Sequence, residues 1–325
     1  MTLDRKTIYR WLTSGGLGAG VIISLSVWGA PGALAQSCAA TPPGMTAWWP
    51  ASGNANDIIA YHRGTLNGGV SFAPGAVGLA FSFDGSTGYV QIPTAPGLQP
   101  PSAISVAAWI YPTELPVLPY SAFMIDKYNS FDLNQGVSWA LVLLSTGQIL
   151  LEVREQASVY WDATTIGSVA LGQWQHVAAT FDTSTQAMAV YINGLAVPIS
   201  ITGTGPVTSI YQSTAPVLLG AVDSGFTGGL GSYYSGLIDE AQLFGVALTA
   251  AQVAAIYDAG SSGVCPPVWR ASHQYYRGDE VHDPAKHVQV VVTGGTSGTT
   301  RPAWNNAGGT TADGTVVWRD RGLEP

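Results

Sequence analysis

The chain has 325 residues, 46% of them hydrophobic and only 10% charged, with 40 glycines and 20 prolines. That apolar share supports a sizeable core and excludes a disordered chain, while the glycine and proline load suits short strands and tight turns far better than long helices. A formal charge of −8 repels phosphate backbones and argues against nucleic-acid binding by bulk electrostatics.

Residues 1–35 read as a secretory signal peptide. Arg5, Lys6 and Arg10 give a positive start, Gly16 to Ala30 is apolar, Pro31-Gly32 breaks the run, and Ala33-Leu34-Ala35 is a small-x-small cleavage pattern. The stretch Trp11 to Ala30 is also about long enough to span a bilayer as an uncleaved anchor. The placement of the cleavage pattern favours removal, and with it a secreted, extracellular chain, or a periplasmic or cell-surface one, with no membrane attachment. Cleavage leaves a net charge of −10, spread unevenly. From Gln36 to Val268 thirteen acids face three bases (Arg63, Lys127, Arg154), whereas Trp269 onward holds six of each. The contrast suggests two modules. The two cysteines, Cys38 and Cys265, read as one disulfide in an oxidising compartment, with two buried free thiols as the alternative.

In chain order, strand-length apolar or alternating runs are predicted at Thr46–Pro50, Gly78–Asp84, Tyr89–Ile92 and Ser105–Tyr111. Trp139–Leu144 and Gln148–Arg154 flank the turn Ser145-Thr146-Gly147. His176–Asp182 follows, and Ala187–Ile192 meets Leu195–Ile199 across Asn193-Gly194, a strong hairpin signal. Val217–Ala221 and Gly236–Phe244 complete the set. One helix is expected over Ala250–Ala259, with Thr249 and Gln252 as its capping box and Gly260 as its stop. Pro266-Pro267 reads as a linker, and Trp269–Arg319 as a small, aromatic-bearing segment of a few strands that leans on the larger one. The fold class is therefore all-β, an antiparallel sandwich with one short late helix and a small β module at its end.

These residues resemble a known family. AWWPASGNANDIIA (Ala47–Ala60), RGTLNGG (Arg63–Gly69), GLAFSFDGSTGYVQIP (Gly78–Pro93) and ISVAAWIYPT (Ile104–Thr113) are similar to the opening strands of laminin-G-like, concanavalin A-like jelly rolls. GQWQHVAATFD (Gly172–Asp182), VYINGLAV (Val190–Val197) and YSGLIDEAQLFGVALTAAQVAAIYDAG (Tyr234–Gly260) are similar to the middle and closing strands. The resemblance covers residues 38–265 and implies adjacent first and last strands, which would bring Cys38 and Cys265 together. Ala60-Tyr61-His62 departs from the family's usual glycine and asparagine, so the turn before Arg63 must be built differently. The tail, residues 266–325, with WRASHQYYRGDEV (Trp269–Val281), TGGTSGTTRPAW (Thr293–Trp304) and DGTVVW (Asp313–Trp318), is distantly similar to chitin-binding modules of families five and twelve.

A jelly roll of this kind can be a glycoside hydrolase, which needs two carboxylates flanking the scissile bond. No E-x-D-x-x-E strand is present. Glu152 and Glu155 fall on opposite strand faces, as do Asp239 and Glu240. The chain therefore reads as non-catalytic. Calcium is the cofactor the sequence invites, through Asp57, Asp84 and Asp239, although each aspartate also suits an ordinary turn. For a polysaccharide or surface glycan the candidate rings are Trp161, Tyr233 and Tyr234, with Tyr275, Tyr276 and Trp304 in the tail; in the tail the rings serve equally well as core. The expected role is binding or adhesion to a glycan. The competing role is a structural or assembly part of a cell surface, with protein partners.

Overall fold

A computed structural model describes residues 38–60, 62–117, 121–128, 137–156, 158–223 and 229–323; the signal-peptide reading of residues 1–35 lies outside them. The chain opens with β1 (Met45–Trp49), β2 (Thr65–Asn67), β3 (Ser71–Pro74), β4 (Leu79–Asp84), β5 (Tyr89–Ile92) and β6 (Ala103–Pro112). It continues through β7 (Ser121–Tyr128), β8 (Val137–Leu144), β9 (Ile149–Gln156), β10 (Val159–Thr165), β11 (Gln175–Asp182) and β12 (Ala187–Ile192). Then come β13 (Leu195–Val197), β14 (Ile199–Gly203), β15 (Val217–Leu219), the pair β16 (Val222–Asp223) and β17 (Leu230–Gly231), β18 (Ser235–Phe244) and helix α1 (Ala250–Asp258).

Two eight-stranded antiparallel sheets face each other. The first runs β13-β12-β11-β6-β18-β4-β3, with β1 also on β18; the second runs β14-β10-β9-β8-β7-β15-β5-β2. Period-two alternation decides which side chains meet between them. Phe81, Ile104, Val106 and Phe181 from the first sheet pack with Trp139, Leu141, Leu151 and Val153 from the second, all essentially inaccessible.

Helix α1 starts on the predicted capping box, with the Thr249 side chain and the Gln252 amide closing on one another. Its Val253 and Ile256 seal the outer face of the first sheet with Trp48, Tyr191 and Phe244. Among the described residues no helix covers the outer face of the second sheet.

Strand β18 is the organising element. Its first half pairs with β4 (Ser235 with Asp84 to Ile238 with Phe81) and its second half with β1 (Ala241 with Trp49 to Phe244 with Met45). The change of partner falls on a bulge between Asp239 and Gln242, where Glu240 takes a φ of 53°. Because β1 lies on β18, the ends of the sandwich meet. Cys38 and Cys265 form a disulfide with Cα atoms 4.9 Å apart, and Ala39 bridges Val264.

The turn before Arg63 is built around Asp57. Its Oδ1 accepts from the amides of Trp48 (2.9 Å) and Ile59 (2.8 Å), and its Oδ2 from those of Ala60 (3.2 Å) and His62 (3.1 Å). One buried carboxylate thus replaces a glycine-based turn.

The tail forms β19 (Gln274–Tyr275), β20 (Glu280–His282), β21 (His287–Thr293), β22 (Gly295–Thr296), β23 (Thr310–Asp313) and β24 (Val316–Leu323). Strands β20-β21-β24-β23 make a sheet and β19 pairs β22. The tail has a core of its own, in which Tyr275, Val281, Val291, Val316 and Trp318 are buried with Trp269 and Trp304 against them. Asp313 Oδ2 accepts from the indoles of Trp269 (2.6 Å) and Trp318 (3.1 Å), tying two rings to one carboxylate. The tail also rests on the sandwich: Asn56 donates to the Gly278 carbonyl at 3.0 Å and Arg63 lies 3.5 Å from Asp279. A side chain at Gly278, which has a φ of 91°, would meet Asn56 at 2.3 Å, so only glycine allows the approach.

Two outcomes follow. Closing a loop of 227 residues constrains the unfolded chain by about 5 kcal/mol, so the Cys38→Ser/Cys265→Ser variant should melt well below the parent; an unchanged calorimetric midpoint would remove the bridge from the fold's stability. Trp318→Ala should cost about 3–5 kcal/mol and open the tail to proteolysis beyond Pro267 while the sandwich persists.

Candidate functional site

The outer face of the second sheet gathers polar chemistry on neighbouring strands. Cross-strand register aligns Asp126 (β7) with Ala140 (β8), Ala140 with Glu152 (β9), Glu152 with Asp162 (β10) and Asp162 with Thr202 (β14). Three carboxylates and a hydroxyl therefore share one row. The next row places Arg154 opposite Tyr160, with Tyr128 at the end of β7.

Each carboxylate in the row has a different environment. Arg154 Nε donates to Glu152 Oε1, and the same guanidinium lies over the Tyr160 ring, 4.8 Å from its centre. Burial still pushes the Glu152 carboxyl up, against the opposing pull of Arg154. Asp126 is fully buried and neither of its oxygens makes a full hydrogen bond. Burial, with the charges of Glu152 and Asp223 beside it, raises it well above the usual carboxylate range, and the Tyr128 amide offsets this only in part. Asp162 is half-buried and pushed up to about 7, first by desolvation and then by Glu152. Desolvation also moves the Tyr128 hydroxyl to about 12.

Lys127 points the other way. Its ammonium donates to Thr94 Oγ1 (2.7 Å) and the Ala215 carbonyl, and desolvation lowers it to about 8.

The sequence-predicted residues fall in other places. Trp161 turns toward the sandwich core and donates its indole N–H to the Gly205 carbonyl. The outward residues of this strand are its neighbours Tyr160 and Asp162. Tyr234 is not a surface ring: it is completely buried, edge-on to Phe83, and its hydroxyl donates to the Leu237 carbonyl at 3.3 Å. Tyr233 stays at the surface, lining a cleft of about 290 Å³ with Glu114, Val117 and Ser235.

In the tail, Tyr275 is a correction of the same kind, 4% exposed with its hydroxyl accepting from the Arg270 amide. Trp304 is partly buried edge-on against Trp318, their centres 5.4 Å apart. Tyr276, 47% exposed, is the ring of the three that faces solvent.

The three calcium candidates sit in three separate hydrogen-bond settings. Asp57 serves the turn already described. Asp84 accepts from the amides of Ser86, Thr87 and Gly88 at 2.8–3.0 Å and from the Thr87 hydroxyl, bonds that hold its carboxyl well below the ordinary value. Asp239 is buried at the β18 bulge, where Oδ2 accepts from Val77 and burial raises it to about 7. Among the described residues no group of three or more His, Cys, Asp or Glu side chains is placed to hold a metal.

With this geometry in view the comparisons are informative. The family model described as the concanavalin A-like lectin/glucanases superfamily, of the laminin-G type, matches residues 84–254. The chain belongs to that family. A search among curated proteins finds no match. Among solved structures the chain is similar to the binding domain of Paraclostridial Mosquitocidal Protein 1, at 12% identity and a TM-score of 0.52 over 80% of this chain and 65% of that one. It is similar to the binding domain of botulinum neurotoxin serotype D/C at 14% identity and 0.51, over 85% and 70%. Domain 4 of AbnA, a GH43 extracellular arabinanase from Geobacillus stearothermophilus solved with arabinotriose, is 25% identical over 65% of this chain and 96% of that one, with a TM-score of 0.49. The toxin domains show a shared fold.

The environment of Asp162 sets a pH dependence. The folded chain keeps this proton up to about pH 7, whereas a free carboxyl releases it near 3.8. Unfolding therefore releases protons between those values, and stability falls as pH rises through that window. Asp162→Asn should raise the melting temperature at pH 8, and the gain should vanish by pH 4; a gain independent of pH would assign it to packing instead.

Proposed function

We propose that this chain is a secreted, non-catalytic polysaccharide-binding protein whose ligand lies across the outer face of the second sheet. The observation that carries the reading is the pair of cross-strand rows there, rings of Tyr128 and Tyr160 beside the polar groups Arg154, Asp162 and Thr202. Flat aromatic faces stack on sugar rings, and adjacent carboxylate, guanidinium and hydroxyl groups bond their hydroxyls. A disulfide between the ends of the sandwich supports export.

The non-catalytic reading rests on Glu152. It stands opposite Asp162, a pairing that would suit a glycosidase. Its carboxylate is covered by the Arg154 guanidinium, itself stacked on Tyr160, which leaves no open carboxylate pair for a scissile bond.

A glycan array probed with the purified exported chain, with and without EDTA, tests the proposal and the calcium expectation together. Retention on at least one polysaccharide is expected. Tyr160→Ala should weaken it about three- to tenfold with the far-ultraviolet circular dichroism unchanged, and no reducing sugar should be released. Retention that survives Tyr160→Ala unchanged would move the site off this face. Retention nowhere on the array would leave the structural role with protein partners.

A further inference from the structure

We propose that the crevice between the sandwich and the tail is a second binding site, which takes a small carboxylic acid with an apolar body. It shares no residue with the outer face of the second sheet, and the two sites act independently.

The crevice exists because the tail docks on the Asn56 turn, close enough for Asn56 to bond the Gly278 carbonyl, without filling the space beside that contact. It encloses about 220 Å³. That is room for roughly seven waters at about 30 Å³ each, or for one acid of about that many heavy atoms. Small ligands are preferentially held at such junctions between packed modules. The sandwich lines it with Met45, Ile58 and Ile59, and the linker adds Val268. Val268 is 62% exposed, a large apolar side chain with little to cover it.

Charge decides which end of a ligand enters. Arg270, His273, Asp279 and Glu280 also line the crevice, and both acids are already engaged. Arg321 holds Glu280 through two bonds, of 2.7 and 3.0 Å. Asp279 accepts from the Tyr276 amide and lies 3.5 Å from Arg63. The Arg270 guanidinium has no carboxylate partner among the described residues. His273, lowered by burial and then by Arg270, is neutral at pH 7 and keeps one ring N–H to donate. With the arginines that hold the two acids, three guanidiniums stand against two carboxylates, a local positive excess in an acidic chain. A planar guanidinium beside an imidazole N–H suits the two oxygens of a carboxylate.

The body of the ligand is set by what the wall lacks. Among the described residues no serine, threonine, asparagine or glutamine lines the crevice, and the Tyr275 hydroxyl already accepts from the Arg270 amide. Sugar hydroxyls would find few partners there, whereas a short hydrocarbon chain would cover Met45, Ile58, Ile59 and Val268.

Isothermal titration of the full exported chain at pH 7 and constant ionic strength tests this with hexanoate, hexanamide, acetate and glucuronate. Hexanoate should bind about tenfold tighter than hexanamide, which has the same body without the charge. It should bind tighter than acetate, which has the charge without the body, by about tenfold or more. Glucuronate should bind no better than acetate. Arg270→Gln should erase the preference for hexanoate over hexanamide with the far-ultraviolet circular dichroism unchanged. Arg319→Gln, which removes another exposed arginine of the tail, should leave that preference intact, as should Tyr160→Ala on the second sheet. Equal affinity for hexanoate and hexanamide overturns the proposal, as does an equal loss from Arg270→Gln and Arg319→Gln. Hexanoate binding abolished by Tyr160→Ala would place the acid on the sheet face and overturn it too. Glucuronate bound as tightly as hexanoate would overturn the apolar ligand class, and no hexanoate binding up to about 10 mM would remove the site.

Discussion

The fold depends on where β18 changes partners. Up to Ile238 the strand is paired with β4, and from Ala241 with β1. At the same place the ladder from β18 to β6 carries a bulge, with one extra β18 residue between Asp239 and Gln242. The cost is visible: Glu240 takes a left-handed backbone, and Asp239 is buried with one oxygen unpartnered. In return β1 reaches the sheet, the first and last residues of the sandwich meet, and the disulfide becomes possible. The first sheet, once closed, is sealed outside by α1. On the second sheet the outward row is buried at Asp126, Ala140 and Glu152 and reaches solvent toward β10 and β14, at Tyr160, Asp162 and Thr202.

That face is built against its own stability. Asp126, Glu152 and Asp162 share a row in which burial opposes ionisation, and each titrates above its ordinary value for that reason first. A sandwich core needs only the inward half of each strand, so nothing in packing requires acids on the outward half. Carboxylates perturbed in this way occur at functional sites and in structural ion-pair networks alike. Lys127 makes the contrast: equally buried, it has a hydroxyl and a carbonyl as partners and ties β7 to the segment leading into β15.

The tail solves a different problem. With few residues it cannot bury much, and it compensates by spending its tryptophans on itself. Asp313 fixes Trp269 and Trp318 at once, and Tyr275 lies edge-on to Trp318 at 4.7 Å. Rings that looked available for a ligand are committed to the core, with Tyr276 left facing solvent. Glycine at 278 lets the module rest on the Asn56 turn.

The sequence by itself determined the all-β class, the late capped helix and most strands of the first sheet, because alternation, turn residues and the capping box are local signals. The family resemblance placed Cys38 beside Cys265. The candidate site was not legible, since it rests on β7 and β10, which were not read as strands. SAFMIDKY is buried on both faces and carries an acid and a lysine inside it, and VYWDATT has an aspartate at its centre; neither shows clean apolar alternation. Spacing along one strand also hid the opposition of Glu152 to Asp162, because those carboxylates meet across a ladder. Burial was the other unknown: Tyr233 and Tyr234 are adjacent and chemically alike, yet one lines a surface cleft and the other packs on Phe83. Only the register of neighbouring strands and the layer on each face decide such things, and both are properties of distant residues brought together.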